Sequence, residues 1–326
     1  MKLRNWLTLG GVTLGAVGAG LMINSFLPQH FLTTKGDETL ESVLCDRTSL
    51  PDVEVSFLRC GSQDIPEFVA VRGAFSAASC LLAHSAVLVR HPRGTFLYDS
   101  GLCTDIALFL MDQSLFFKRT LGGFVLEQPI GSHLQRQGIG TDELAFVLVS
   151  HLHWDHVSGI PDLPGVPLRI NRVEYDAGRQ GLLEQHQGLV RRLMGNNPVE
   201  LFDLDGPAYE GFHASHDLFG DGSIILVPLP GHTPGQVGMF VNHAHGSRLF
   251  VVGDAAWVAD NYAVPATMHP FIWSRVTSDD ASARQTLIDL HRFARRHPEI
   301  PIIPMHDAHM QENFSIVEAT RTLAAK

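Results

Sequence analysis

The 326 residues suffice for one large domain or two small ones, and a hydrophobic fraction of 45% is ample for a buried core. The formal charge of -10, with no block of Lys or Arg, argues against a surface that tracks phosphates. No nucleic-acid partner, and in particular no nuclease action on long polymers, is therefore expected.

Met1-Lys2-Leu3-Arg4 is basic, and an apolar, Gly-rich run follows from Trp6 to Leu27. This is the layout of an export signal or an N-terminal membrane anchor over residues 1–28, since the run approaches the ~20 residues a spanning helix needs. A basic start stays in the cytoplasm, so the remainder is expected to be periplasmic, secreted or held at the outer side of a membrane. Residues 29–52 are polar and mixed and read as a linker or surface segment, leaving 53–326 as the main domain. Cys45, Cys60, Cys80 and Cys103 show no C-x-x-C spacing, which argues against a thiolate metal site. Buried thiols and disulfides in the N-terminal half are both open readings.

Val53 to Leu58 alternates like a strand. Ala86 to Arg90 and Thr95 to Asp99 form a hairpin around His91-Pro92-Arg93-Gly94. Asp99 is either a turn residue or an acceptor that supports a later loop. Leu108 to Gly123, rich in Leu and Phe, reads as a core helix, with a flap over a site as the sharper reading. Leu144-Ala145-Phe146-Val147-Leu148-Val149 is a buried strand.

That strand runs into Ser150-His151-Leu152-His153-Trp154-Asp155-His156-Val157-Ser158-Gly159. Residues two apart in extended chain point the same way, so His151 and His153 can reach one metal ion. Asp155 and His156 fall at the turn toward a helix, where a carboxylate is favoured, and can face a second ion. Imidazole and carboxylate at this density after a core strand are the usual zinc donors.

From Pro161 to Gly222, helical segments separated by Gly suggest an inserted cap or a connecting layer. Ser223 to Leu229 is another strand, and it ends in Pro230-Gly231-His232-Thr233-Pro234-Gly235. Arg248 to Val252 ends in Gly253-Asp254. A helix over Ala281 to His297 follows, opened by Asp279 and Asp280, and an edge strand from Ile300 to Pro304 ends at Met305-His306-Asp307. Several strands thus finish in a candidate ligand, and strand ends on one sheet edge converge. The count supports two ions: His151, His153 and His232 on one, Asp155, His156 and His306 on the other, Asp254 between them. All-N,O ligation suits Zn²⁺, with Fe or Mn as competitors. Ions about 3.5–4 Å apart share a hydroxide formed near neutral pH, which would be the nucleophile. Asp155 would pass a proton to the leaving group.

His151-x-His153-x-Asp155-His156, Gly231-His232-Thr233-Pro234-Gly235, Gly253-Asp254, His306 and the early Asp99 together resemble the metallo-β-lactamase superfamily. The resemblance implies an α/β, αβ/βα four-layer sandwich of two mixed β-sheets with the site at the sheet edges. In pattern the chain is most similar to the N-acyl-homoserine lactonase-like branch. That branch often carries a Tyr three residues after the bridging Asp, and here Trp257 stands there. Tyr262 is the candidate to compensate. Trp257, Tyr262, Phe271 and Trp273 are candidate substrate contacts, together with Met268 and Ile272, for a small molecule with an apolar portion. The expected activity is hydrolysis of a small ester or lactone by two zinc ions. A phosphodiesterase or sulfatase of the same superfamily, and a one-iron oxidoreductase of the sulfur-dioxygenase type, are the alternatives.

Overall fold

The structure, a computed structural model, describes residues 23–28, 31, 50–74, 78–244 and 246–315. The expected signal or anchor therefore lies almost wholly outside the described residues, as does Cys45. Among the described residues no helix is long and apolar enough to cross a membrane. The last part of the apolar run is described, and Phe26 packs against Phe68 and His269 at 5.3 and 5.1 Å between ring centroids.

Twelve strands form two sheets among the described residues. The first carries β1 (Glu54–Pro66), β2 (Ser79–His91), β3 (Gly94–Tyr98), β4 (Val125–Leu126), β5 (Leu144–Val149), β6 (Leu168–Asn171) and β7 (Val199–Phe202), in the order β4-β1-β2-β3-β5-β6-β7. The second carries β8 (His216–Asp217), β9 (Ile224–Pro228), β10 (Val237–Asn242), β11 (Arg248–Val251) and β12 (Ile302–Ile303), in the order β12-β11-β10-β9-β8. Both sheets are mixed. The hairpin β2–β3 pairs antiparallel, β3, β5, β6 and β7 run parallel, and β12 joins β11 in parallel at the second sheet's edge.

Period-two alternation sorts the strand side chains into layers. Val87, Phe96, Tyr98, Phe146 and Leu148 of the first sheet meet Leu226, Met239, Val241 and Val251 of the second, between the sheets. Their neighbours Ala86, Leu97, Val147 and Val149 face the other way, onto an outer layer that includes Ile130, Leu134, Leu189 and Leu193. Phe240 and Phe250 face the outer helix Asp280–Arg296 through Leu287, Leu290 and Phe293. Asp279 caps that helix by accepting from the Ser282 N–H. The result is helices, sheet, sheet, helices, the four-layer sandwich expected.

Two local expectations change, and one pair of alternatives is decided. The segment after Ala107 is not one core helix. It forms two short helices, Ile106–Phe109 and Leu115–Thr120, that leave Leu108, Met111, Leu115 and Phe116 exposed. No long helix follows the His cluster; Trp154–His156 is a single 3-10 turn. The stretch from Pro161 to Gly222 is a connecting layer, with β6 and β7 inside it and helices Arg172–Gln180 and Gln185–Met194 between them. Cys60, Cys80 and Cys103 are free thiols.

Candidate metal centre

The parallel pair β3 and β5 ends on one sheet edge, which places Asp99 beside Ser150 and His151. On the facing sheet β9, β11 and β12 end toward the same side and deliver His232, Asp254 and His306. Hydrogen bonds bind the two edges: Val237 N–H donates to the Ser150 carbonyl at 3.0 Å, and Tyr98 Oη donates to the Val237 carbonyl at 2.7 Å. Gly231 has φ +126°, and a Cβ there would lie 2.1 Å from Ala283 N, so only Gly lets this loop close onto the helix behind it. A Cβ on Gly235 would lie 2.2 Å from Glu174 N.

The structure brings all seven anticipated side chains together. His151 Nε2 lies 3.2 Å from His153 Nδ1, which lies 2.8 Å from His232 Nε2. Asp254 stands at the centre. Its Oδ1 is 3.1 Å from His156 Nε2, and its Oδ2 is 3.3 Å from His232 Nε2 and 3.2 Å from His306 Nε2. Asp155 Oδ2 is 3.4 Å from His306 Nε2 and 3.9 Å from His156 Nε2. These spacings match donors that share an ion, because ligands about 2.1 Å from one centre at tetrahedral angles sit ~3.4 Å apart.

The outer atoms of three of the rings are held. His156 Nδ1 donates to Asp99 Oδ2 at 2.7 Å, and His306 Nδ1 donates to the Ala83 carbonyl at 2.7 Å. His151 Nδ1 donates to Ser150 Oγ at 3.0 Å, which itself donates to Asp99 Oδ2. Each bond fixes the tautomer that turns the Nε2 lone pair inward. Inside, His156 Nε2 and Asp254 Oδ1 are buried with no hydrogen-bond partner. Buried polar atoms without partners are rare, and here they face the space the other donors surround. This donor set fits divalent metal ions of the zinc type.

Electrostatics divides the site. Burial first, and then the neighbouring His156, hold His151 well below the ordinary imidazole range. Burial and His232 push His153 down to about 3. Those rings are neutral, with lone pairs free. Burial also opposes charge on His156, but Asp254, Asp99 and Asp155 outweigh it and raise the ring well above the ordinary range. His306 rises similarly, with Asp254 as the main opponent of burial. Burial disfavours the charged forms of Asp155 and Asp254, yet His156 and His306 hold both carboxyls below the usual range. The carboxylate-rich half therefore calls for positive charge.

A cleft opens over this cluster, walled by Ile65, Leu121, Leu182, Leu189, Val190 and Ile272, with Trp154 and Trp257 nearer the donors. Of the anticipated substrate contacts, Trp257 and Ile272 line it. Trp257 also donates from Nε1 to Asp254 Oδ2 at 2.9 Å, so its indole N–H is spent on the central carboxylate. Tyr262, Phe271 and Trp273 are corrections. Tyr262 Oη donates to the Ile302 carbonyl at 3.0 Å, away from the cleft, and compensates for nothing there. Trp273 Nε1 donates to Asp280 Oδ1 at the start of the long helix. Phe271 is an exposed residue under the Arg275 guanidinium. Tyr262 and Trp273 are instead buried in the core beneath the long helix.

Sequence reasoning missed two residues. Glu174, buried, accepts from Leu152 N–H at 2.7 Å and from Gly235 N–H at 2.9 Å, clamping the His cluster to the His232 loop. His84, buried in the middle of β2, has Nδ1 3.7 Å from Asp155 Oδ2, and burial and His306 push it down to about 4. Neither carries a spacing signal. Glu174 looks like any helix-surface Glu, and His84 like a lone core histidine.

The sequence signature described as the Metallo-beta-lactamase superfamily matches residues 81–290. A probable metallo-hydrolase of Mycobacterium tuberculosis is 26% identical over 268 residues, covering 79% of this chain and 81% of that protein. The N-acyl homoserine lactonase AttM of Agrobacterium fabrum is 25% identical over 235 residues, covering 70% and 82%. A solved N-acyl homoserine lactone hydrolase, with the product N-hexanoyl-L-homoserine at its catalytic metal center, superposes with a TM-score of 0.62 at 17% identity, over 81% of this chain and 97% of that one. The dizinc quorum-quenching lactonase AidC superposes at 0.52 with 15% identity, over 82% and 92%. Matched by that signature over most of its catalytic domain and folded as the same sandwich, the chain belongs to the metallo-β-lactamase superfamily and is a metal-dependent hydrolase of lactonase-like type.

Proposed function

We propose that this protein opens a small lactone or ester carrying an apolar tail, using two zinc ions. His151, His153 and His232 would hold one ion, Asp155, His156 and His306 the other, with Asp254 between. The observation that carries this reading is the position of Asp254, whose two oxygens face donors of both sets at 3.1 to 3.3 Å. The similar lactonases, one of them described as dizinc, support the metal and the substrate class. Bound there, the ions supply Lewis acidity and an activated water near neutral pH. The protein's own part is positional. Asp99 and Ala83 keep His156 and His306 in register, and Trp257 anchors the carboxylate that both sets share. Asp155, ionised and at the cleft floor, takes the proton that the attacking water gives up. It returns that proton to the departing alkoxide, so the ring opens to an alcohol and a carboxylic acid, which loses its own proton to solvent to leave the carboxylate. The aliphatic wall receives the tail, each buried methylene adding about 0.8 kcal/mol of binding.

Purified protein should contain two equivalents of zinc and open N-acyl homoserine lactones, with KM falling as the acyl chain lengthens. His151→Ala should lower kcat/KM by several orders of magnitude. A single iron, or hydrolysis of phosphodiesters or sulfates with none of lactones, would overturn the assignment. We further propose that residues 1–28 place the enzyme outside the cytoplasm, supported by the basic start and apolar run; fractionation of cells making the full chain checks it.

A further inference from the structure

Beside the seven donors stands an imidazole that no part of the chemistry above uses. His84 is 5% exposed, and neither of its ring nitrogens has a hydrogen-bond partner among the described residues. A satisfied core histidine would give at least one N–H to a carbonyl or carboxylate, as His156 and His306 do. The ring is instead walled by Phe124 at 5.2 Å, Trp154 at 6.3 Å and the edge of His306 at 5.3 Å, centroid to centroid. Aromatic walls offer no partner, so one must come from the cleft.

The direction is set by Asp155. His84 Nδ1 lies 3.7 Å from Asp155 Oδ2, too far for a hydrogen bond. Asp155 Oδ2 in turn lies 3.4 Å from His306 Nε2, and one donor atom from each of the three residues falls within 4.8 Å of the others. Two donors on one ion are spaced in just this range, ~3.4 Å at tetrahedral angles and slightly more at wider ones. We propose that His84 is a ligand of the second ion, alongside Asp155, His156, His306 and Asp254, so that this ion has five protein donors. The proposal rests on the dinuclear reading above. It also bears on metal choice, because a five-donor N,O site favours ions that accept coordination above four, such as Fe or Mn, more than a four-donor site does.

The test is a Co²⁺ titration of the full chain after chelator stripping, comparing wild type with His84→Phe, which keeps a ring against Phe124 and Trp154 but offers no lone pair. The first equivalent should bind both proteins alike. The second should bind His84→Phe more weakly by on the order of 100-fold, the upper end of what losing a mere supporting partner does. Its visible d–d bands should intensify as the coordination number drops. Added imidazole should restore the second equivalent in His84→Ala. Equal affinities with superimposable spectra would overturn the proposal, and so would equal weakening of both equivalents, the mark of a packing effect. If His84→Phe fails to fold by circular dichroism, the imidazole response of His84→Ala decides. Wild-type protein that takes up fewer than two equivalents would overturn the dinuclear reading and this ligand with it.

Discussion

The indole of Trp257, three residues after Asp254, is committed to that carboxylate. Nε1 gives its hydrogen to Asp254 Oδ2, the carboxylate between the two donor sets. Trp257→Phe should fold normally and hold metal about 10- to 100-fold more weakly in chelator competition, as expected when a partner behind a ligand is removed. Tyr262→Phe is the contrast. It removes a bond to the Ile302 carbonyl, so it should cost about 1 kcal/mol in urea unfolding and leave KM unchanged. Residues at this scale were unevenly legible. His151, His153, Asp155 and His156 announce themselves by spacing, and His232, Asp254 and His306 by standing at strand ends. His84 has neither signal, since its partners come from distant parts of the chain and only the pairing of sheets reveals them. Tyr262, Phe271 and Trp273 misled because nearness in sequence to Asp254 says nothing of which way a loop turns.

Strands and helices were legible where hydrophobic pattern and punctuation agreed. The β2–β3 hairpin, β5, β9, β11 and the capped helix Asp280–Arg296 all have clear ends. β6 and β7 have four residues each, too short for a period to register, and β10 carries Gly238 as its second residue. Contacts between elements were invisible in sequence and carry two predictions. Glu174 joins the His cluster to the His232 loop through two buried N–H groups. Glu174→Ala should lower unfolding free energy by about 1–3 kcal/mol for each donor left unpaired. Asp221 joins the β2–β3 turn to the loop before β9. Burial opposes its ionisation, but bonds from Ser223 and Arg93 hold it down to about 2. A carboxyl depressed on folding stabilises above its unfolded pKa, and that contribution fades as pH falls toward the folded value. The gap in melting temperature between wild type and Asp221→Asn should therefore be full at pH 6 and close between about pH 4 and 2.

At the scale of the molecule, strand ends of the two packed sheets converge at the donors, so a metal bound there would act as a cross-link as well as a reagent. An ion present at 100 times its Kd adds about 2.7 kcal/mol to stability. If two such ions are held, stripping them should lower Tm by roughly 8–10 °C in differential scanning calorimetry, and zinc should restore it. A change of only a degree or two would mean that the sandwich closes without them. The division of donors along the chain has one more consequence. A ribosome that has released β5 and its loop has exposed three imidazoles and a carboxylate, but neither metal set is complete. On the two-ion reading proposed above, the three-imidazole set waits for His232 and the carboxylate-rich set for His306, which follows β11 and the long helix. A nascent chain would thus have no finished cage for a second ion until His306 has emerged. Closing that set would therefore follow the pairing of β12 with β11.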